Sequence, residues 1–287
     1  MPNASSLPIP PHPLSYLASL EAFLKEDWGA GDWTAYSAPN RPVTARVVAK
    51  SDLVIAGLPV AEQVFHLTDP ALKIEMAVCD GDKLTAGNEV MKIYGMCRGI
   101  LMAERVMLNL LQRLSGTASL TRLFVEAVKG TRAKILDTRK TTPGLKTLEK
   151  YAVRCGGGFN HRINLADGIL LKENHIAAAG GIAPAVAAAR QSSPALLKIE
   201  VEVETLDQLA ECLALPHIDG ALLDNMDEKT MCEGVAMRNS SGRNFFLEAS
   251  GNLTLARARS AAQTGVDFLS VGALTHSAPA ADLSLRF

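Results

Sequence analysis

No stretch of this chain approaches the ~18–20 consecutive apolar residues that a bilayer-spanning helix needs. Nor does its charge have a dominant sign. Lys and Arg total 29 and Asp and Glu total 30, a formal net charge of −1 over 287 residues. Balanced charge argues against general binding to nucleic acid or to an anionic membrane. The opening MPNASSLPIPPHPL lacks a basic region followed by an apolar core, so it is not expected to be a secretory signal. Its prolines predict an irregular, frayed lead-in. The cysteines (Cys79, Cys97, Cys155, Cys212 and Cys232) are odd in number and widely spaced, with no CxxC. That excludes a disulfide framework and a zinc site. Free thiols in a reducing cytoplasm are the simplest reading. No Walker pattern is present and no dinucleotide fingerprint follows a strand, so ATP or NAD bound in those ways is excluded.

What the chain has instead is a local crowd of bases. Between Asp137 and His175 it reads DTRKTTPG, RCGGGFNHR and LLKENH. Arg139, Lys140, Arg154, His161, Arg162 and Lys172 all fall there, threaded with Gly and Thr. In a nearly neutral protein, such a cluster points to a pocket for a ligand with several negative charges. Cys155 lies in the same stretch, but a buried small hydrophobe explains it more simply than a nucleophile.

The apolar spacing predicts a helix over 14–25. From 42 to 94, short β-prone runs (VTARVVA, LVIAG, LKIEMAV, EVMKIYG) surround one helix near 60–67, as in a small α+β unit. A strong helix is predicted over 99–114. After residue 130, strand-like and helix-like segments alternate: AKILDT, GILLKE, LKIEVEV, GALLD, NFFLEAS and DFLSVG, the first five each followed by a helical stretch. Regular β–α alternation indicates a parallel sheet, closed or doubly wound. The length is short for a full eight-fold barrel of ~250 residues.

The run at 198–204 bears on that choice. Side chains alternate along a strand, so Ile199, Val201 and Val203 share one face and Lys198, Glu200, Glu202 and Glu204 the other. Helices over both faces would bury the glutamates, at several kcal/mol for each unpaired charge. A barrel can turn them toward its centre, where cations meet them. Phe246, Glu248 and Ser250 share a face of their strand, and Asp224 sits at a strand's carboxyl end, where the active sites of such barrels lie. Two Gly-bearing turns, EASGN at 248–252 and SVGALTHS at 270–277, follow the last two strands. Paired turns of this kind recur as phosphate sites. Asn252 stands where a second Gly is expected, and Asn tolerates a left-handed backbone.

DTRKTTPG, LEKYAVRCGGG, NHR, KENHI, IEVEVE, LLDN, EASG and VGALTHSAP together closely resemble the quinolinate phosphoribosyltransferase family. The resemblance covers nearly the whole chain, with GAGDWT and RVMLNLLQRLSG earlier. It implies an α/β protein with an N-terminal α/β sandwich domain over 1–118, to which 277–287 return. An incomplete, about seven-stranded, parallel α/β barrel would span 119–276. It implies a homodimer, with higher assembly open. The implied reaction converts quinolinate and phosphoribosyl pyrophosphate (PRPP), with magnesium, to nicotinate mononucleotide, pyrophosphate and CO2. By motif, Thr138, Arg139, His161, Arg162 and Lys172 would hold quinolinate, and Arg105 would reach into the partner's site. Lys140 would meet the pyrophosphate. Glu204 and Asp224 would face the ribose and the metal, with Glu202 a rival to Glu204. Ser250, Gly251, Asn252, Val271, Gly272, Ala273 and His276 would bind the 5′-phosphate. Phe159, INLAD at 163–167 and Trp33 depart from the family pattern. Alternatives are a related phosphoribosyltransferase acting on nicotinate or another aromatic acid, a lyase or aldolase using Lys172 as a Schiff base, and a catalytically silent binding protein.

Overall fold

The computed structural model describes residues 8–37 and 39–287. The first seven residues of the predicted irregular lead-in lie outside that range. The elements run α1 (Leu17–Trp28), β1 (Pro42–Ala49), β2 (Leu53–Val54), α2 (Leu58–Thr68), β3 (Lys73–Met76), β4 (Lys83–Leu84), β5 (Glu89–Met96) and α3 (Cys97–Ala127). They continue with β6 (Lys134–Leu136), α4 (Lys146–Cys155), β7 (Ile169–Leu171), α5 (Glu173–Ala179), α6 (Ile182–Ser192), β8 (Ile199–Val203) and α7 (Leu206–Ala214). The last are β9 (Gly220–Asp224), α8 (Glu228–Ser240), β10 (Phe246–Ser250), α9 (Leu255–Gln263), β11 (Phe268–Ser270), α10 (Ala273–His276) and β12 (Leu283–Arg286). Among the described residues no helix is long and apolar enough to cross a membrane.

Two compact units are present. The first takes the residues up to Arg122, Thr141–Gly157 and Ala273–Phe287; the second takes Leu123–Lys140 and Gly158–Gly272. In chain order α4 follows the first strand of the parallel sheet, yet it belongs to the first unit.

The first unit is an α/β sandwich. Its four-stranded sheet has the order β12-β1-β5-β3, with β1 antiparallel to both β5 and β12. Inward residues of the sheet (Ala45, Val47, Met91, Ile93) join Leu20 and Leu24 of α1, Phe65 of α2 and Met107, Leu111 and Leu114 of α3 in one apolar core. An ion pair between a half-buried arginine and a fully buried glutamate braces the same unit. Arg113 donates from Nε and Nη2 to Glu149 Oε1 at 3.1 and 2.9 Å, while the Thr142 hydroxyl and N–H donate to the same carboxylate.

The helix predicted over 99–114 runs on to Ala127, through Ser115 and Gly116. A Cβ at Gly116 would overlap the backbone carbonyl of Pro279. The glycine is therefore a packing requirement rather than a stop signal, and the helical ladder tolerates it at about 1 kcal/mol relative to Ala.

The second unit is an open parallel barrel. Its six-stranded sheet has the order β6-β11-β10-β9-β8-β7. A seventh tract joins by a parallel bridge between Leu136 and Phe159, with Phe159 N–H donating to the Ile135 carbonyl at 2.8 Å. No pairing among the described residues links that tract to β7, so the barrel is incomplete, as the sequence leads one to expect. Strand register then sets an inner layer. Phe246 lies opposite Gly220, Glu248 opposite Leu222 and Ser250 opposite Asp224; Glu200 lies opposite Gly220 and Glu202 opposite Leu222. Caps at the strand-to-helix turns fix the loops above this layer. Thr205 accepts from Gln208 N–H, Asp227 from Thr230 N–H and Thr254 from Arg257 N–H.

Gly116→Ala is expected to displace the Pro279 segment and to destabilise the protein by about 1–3 kcal/mol, the cost of overpacking. The midpoint of urea denaturation measures it, and an unchanged midpoint rules out the close approach.

Candidate active site

The carboxyl ends of the parallel strands surround a cavity of about 460 Å³. Every element of the second unit's sheet sends it a side chain: Thr138, Arg139 and Lys140 past β6, His161 and Arg162 past the bridging tract, Lys172 past β7, Glu202 from β8, Asp224 from β9, Glu248 and Ser250 from β10, and Ser270 from β11. Residues scattered over more than a hundred positions thus meet because parallel strands all end on one side.

One wall is cationic. Arg162 anchors by donating from Nη1 to the Gly168 carbonyl at 3.0 Å. Burial, and after it the neighbouring Arg139, push the Arg162 pKa below its usual value. A guanidinium stays charged in proteins, so two like charges are held near each other. Lys172 pairs with Glu202. That engagement speaks against the Schiff-base reading, which needs a free amine.

Another part of the lining is acidic and amide-rich. Asn225 donates from Nδ2 to Asp224 Oδ2 at 2.9 Å, and Asn252 donates from Nδ2 to Asn225 Oδ1 at 3.1 Å. The loop after β10 lies against this chain. Gly251 has φ +90°, and a Cβ there would strike Asn225. Asn252 has φ +48°, the left-handed conformation its sequence position suggested.

Glu202, and not Glu204, reaches the cavity. Glu204 lies one residue beyond β8, where its N–H donates to Gln208 Oε1 at 2.7 Å as part of the α7 cap, and its side chain is exposed. Glu202 is inside the strand, on the inner face. The loop after β11 departs as well. Val271 is buried, neither it nor Gly272 is among the cavity-lining residues, and Ala273 and His276 form α10 in the first unit. Arg154 belongs to α4 of the first unit, and Arg105 is exposed on α3. Phe159 stays off the cavity wall; Lys134 Nζ sits 4.9 Å from its ring centre. Cys155 is buried, and burial pushes its thiol pKa up. It is no nucleophile.

Three contributors were not singled out by motif. Asp137 is fully buried and accepts from Asn160 Nδ2 at 2.6 Å and His161 N–H at 2.9 Å, so it shapes the turn that presents His161 and Arg162. Glu200 and Glu248 are 6% and 1% exposed, and their Oε2 atoms lie 3.1 and 3.5 Å from His161 Nε2. The alternation of β8 and β10 already placed both on inner faces.

The donor atoms of His161, Glu200 and Glu248 lie within 4.8 Å of one another, a spacing that could hold a metal ion. The imidazole argues otherwise. Arg162 N–H donates to His161 Nδ1 at 2.7 Å. Nδ1 is therefore an acceptor and, by inference from that bond, the neutral ring carries its proton on Nε2. A protonated nitrogen cannot ligate a metal. His161 donates toward the two carboxylates instead, and both its ring nitrogens are committed within the protein.

Burial pushes Glu200 up to about 8. Burial, and after it the charge of Glu200, pushes Glu248 up to about 8 as well. The two acids couple, so the pair as a whole retains a proton near neutrality.

An open parallel barrel with cations and carboxylates gathered at the carboxyl ends of its strands has the arrangement of an enzyme of the α/β-barrel class. Residues 32–115 match the family described as quinolinate phosphoribosyl transferase, N-terminal domain, and residues 117–286 match its C-terminal domain. A probable nicotinate-nucleotide pyrophosphorylase [carboxylating] of Synechocystis is 42% identical over 268 residues, 93% of this chain and 90% of that protein. Quinolinate phosphoribosyltransferase [decarboxylating] 1 of Nicotiana glauca is 39% identical, covering 96% of this chain and 84% of that one. The solved nicotinate-nucleotide pyrophosphorylase of Francisella tularensis superposes with a TM-score of 0.92 at 39% identity, over 99% of each chain. NadC from Streptococcus pyogenes gives 0.90 at 39% identity, over 96% of this chain and 98% of its own. The chain belongs to the quinolinate phosphoribosyl transferase family.

Because Glu248 binds its proton more tightly folded than unfolded, it favours the folded state fully at acid pH. That contribution fades as pH rises from about 4.5, its ordinary value, through about 8. Glu248→Gln should therefore gain in melting temperature relative to the wild type as pH rises across this window. Melting temperatures measured against pH check this, and two curves that run parallel from pH 4.5 to about 8 overturn it.

Proposed function

We propose that this protein transfers the phosphoribosyl group of PRPP to the ring nitrogen of quinolinate, yielding nicotinate mononucleotide, pyrophosphate and CO2, a step of NAD biosynthesis. The observation that carries the reading is the shared cavity, lined by Arg139, Arg162 and Lys172 together with Asp224 and Asn225, in a member of this family. Quinolinate is a rigid dianion, and guanidinium groups suit bidentate binding of its carboxylates. Its charge also relieves the repulsion between Arg139 and Arg162. Thr138 bounds the same wall, and its hydroxyl accepts from Lys140 N–H at 3.0 Å, which sets the turn that presents both bases. His161 acts by fixing Arg162.

Loss of pyrophosphate leaves positive charge on the ribose ring. Glu202 and Asp224 stabilise that charge, while Lys140 meets the leaving group. The backbone around Ser250, Gly251 and Asn252, followed by the capped start of α9, suits the 5′-phosphate. Oxygen donors at Asp224 and Asn225 suit a hard cation such as Mg²⁺, which binds through one or two carboxylates plus substrate phosphates. When bound, it supplies neutralisation of pyrophosphate charge. After nitrogen is alkylated the ring is cationic and serves as an electron sink for decarboxylation. No covalent enzyme intermediate is needed, and catalysis is placement and electrostatics. Arg105, exposed on α3 and without an ion pair among the described residues, completes the neighbouring site in a homodimer. Five free thiols fit a reducing cytoplasm.

Incubation with quinolinate, PRPP and Mg²⁺ should give nicotinate mononucleotide and CO2, with nicotinate as the control that does not react; turnover of nicotinate alone would overturn the substrate. Arg139→Ala and Lys172→Ala should each lose about a hundredfold or more in turnover with far-ultraviolet circular dichroism unchanged. Full activity removes the residue from the pocket. Arg105→Ala should be inactive alone and regain activity when mixed with Lys140→Ala subunits. Verified mixed dimers that stay inactive sink the shared site.

A further inference from the structure

On the decarboxylating reading above, the reaction consumes one proton at the ring carbon. When CO2 leaves the ring carbon beside the nitrogen, the electron pair of the broken bond stays on that carbon. The carbon must then gain a proton to become the C–H of the product. Few groups on the cavity wall can supply one. The guanidinium groups of Arg139 and Arg162 do not release protons in proteins. Lys172 is held by Glu202, and Lys140 is needed as a cation at the departing pyrophosphate.

Glu248 differs from these. It lines the cavity among the strand ends, and it is 1% exposed. It faces a single imidazole N–H that it shares with Glu200. One N–H cannot neutralise two carboxylates, and the Oε1 atoms of both glutamates are buried without a hydrogen-bond partner. The remaining groups around Glu248 do not supply a cation of its own: Asp137 past β6 and Glu200 on β8 are acidic, Ser270 on β11 offers a hydroxyl, and Leu222 opposite it on β9 is apolar. Arg162 past the bridging tract acts on Glu200. Two ionised carboxylates in such a place would be costly, and one retained proton relieves them. The upward displacement of both acids agrees with this.

We propose that Glu248, held as a carboxylic acid against His161 and Glu200, gives its proton to the ring carbon from which CO2 departs. In this step the carbon–carboxylate bond breaks and its electron pair passes to the ring carbon, steadied by the cationic nitrogen. In the same event the Glu248 O–H bond breaks, the proton forms the new C–H bond as CO2 leaves, and Glu248 is left as a carboxylate facing His161 Nε2–H. No oxidant or reductant takes part. Recharging has its own route. A second cavity of about 810 Å³ opens at the amino-terminal ends of the same strands, and its wall also includes His161, Glu200 and Glu248. Water entering there can return the proton without passing through the occupied site.

The test separates the two halves of the reaction. Wild type and Glu248→Gln are given PRPP, Mg²⁺ and quinolinate carrying carbon-14 in the 2-carboxylate, and pyrophosphate and labelled CO2 are followed through the first turnover. The variant is expected to keep its pyrophosphate burst while CO2 release slows about a hundredfold, so that the dicarboxylated mononucleotide accumulates. Equal losses of both products, or no loss of either, overturn the proposal. A wild type that releases neither product sinks the reaction assignment and the inference with it. The wild type in D2O gives a measurement independent of how the variant folds. Slower CO2 release with an unchanged pyrophosphate burst supports the donor, and equal CO2 rates in the two solvents overturn it.

Discussion

A single imidazole N–H, placed between two buried carboxylates, is the constraint from which the candidate site is built. His161 can make that donation only because Arg162 N–H fills its other nitrogen. The same bond fixes the start of Arg162, whose guanidinium is then tied to the Gly168 carbonyl. Asp137, below, holds the His161 N–H and Asn160. One short turn therefore converts buried acidity in the sheet into an oriented cation at its rim. Buried polar networks of this kind are costly when half satisfied, and the two orphaned glutamate oxygens show where this one stores its cost.

The surrounding charges follow from strand alternation. With Glu200 and Glu202 on the inner face of β8, the interior cannot be filled only by apolar side chains, and cations must meet them from neighbouring strands. Lys172 meets Glu202, and Arg162 lies near enough to Glu200 to act on it. Below the glutamates the layer becomes aromatic, with Phe246 and Phe268 edge to face at 5.6 Å. Charge is present at both ends of the sheet: at the amino ends Lys198 Nζ sits 5.7 Å from the Phe246 ring and Arg238 pairs with Asp267 at 2.7 Å.

Much of this was legible in the sequence. The inward row of glutamates was readable from period-two alternation, and the barrel's incompleteness from its length. Of the basic cluster between Asp137 and His175, Arg139, Lys140, His161, Arg162 and Lys172 line the cavity, while Arg154 belongs to α4 of the first unit. Three things were not legible, each for a physical reason. The choice between Glu202 and Glu204 depends on where β8 ends, and that is decided by the Thr205 and Gln208 cap rather than by the alternating run. The continuation of α3 through Gly116 depends on a backbone from the far end of the chain, invisible to local propensity. The tautomer of His161 depends on one backbone N–H, which no motif specifies.

The pairing of β12 with β1 joins Leu283 to Ala49. A ribosome extends the chain from its amino end, so the whole second unit is made before the first can close its sheet. Through that interval the edge of β1 stands open, a template for unwanted strand addition. Assembly of the first unit is therefore tied to the late synthesis of β12.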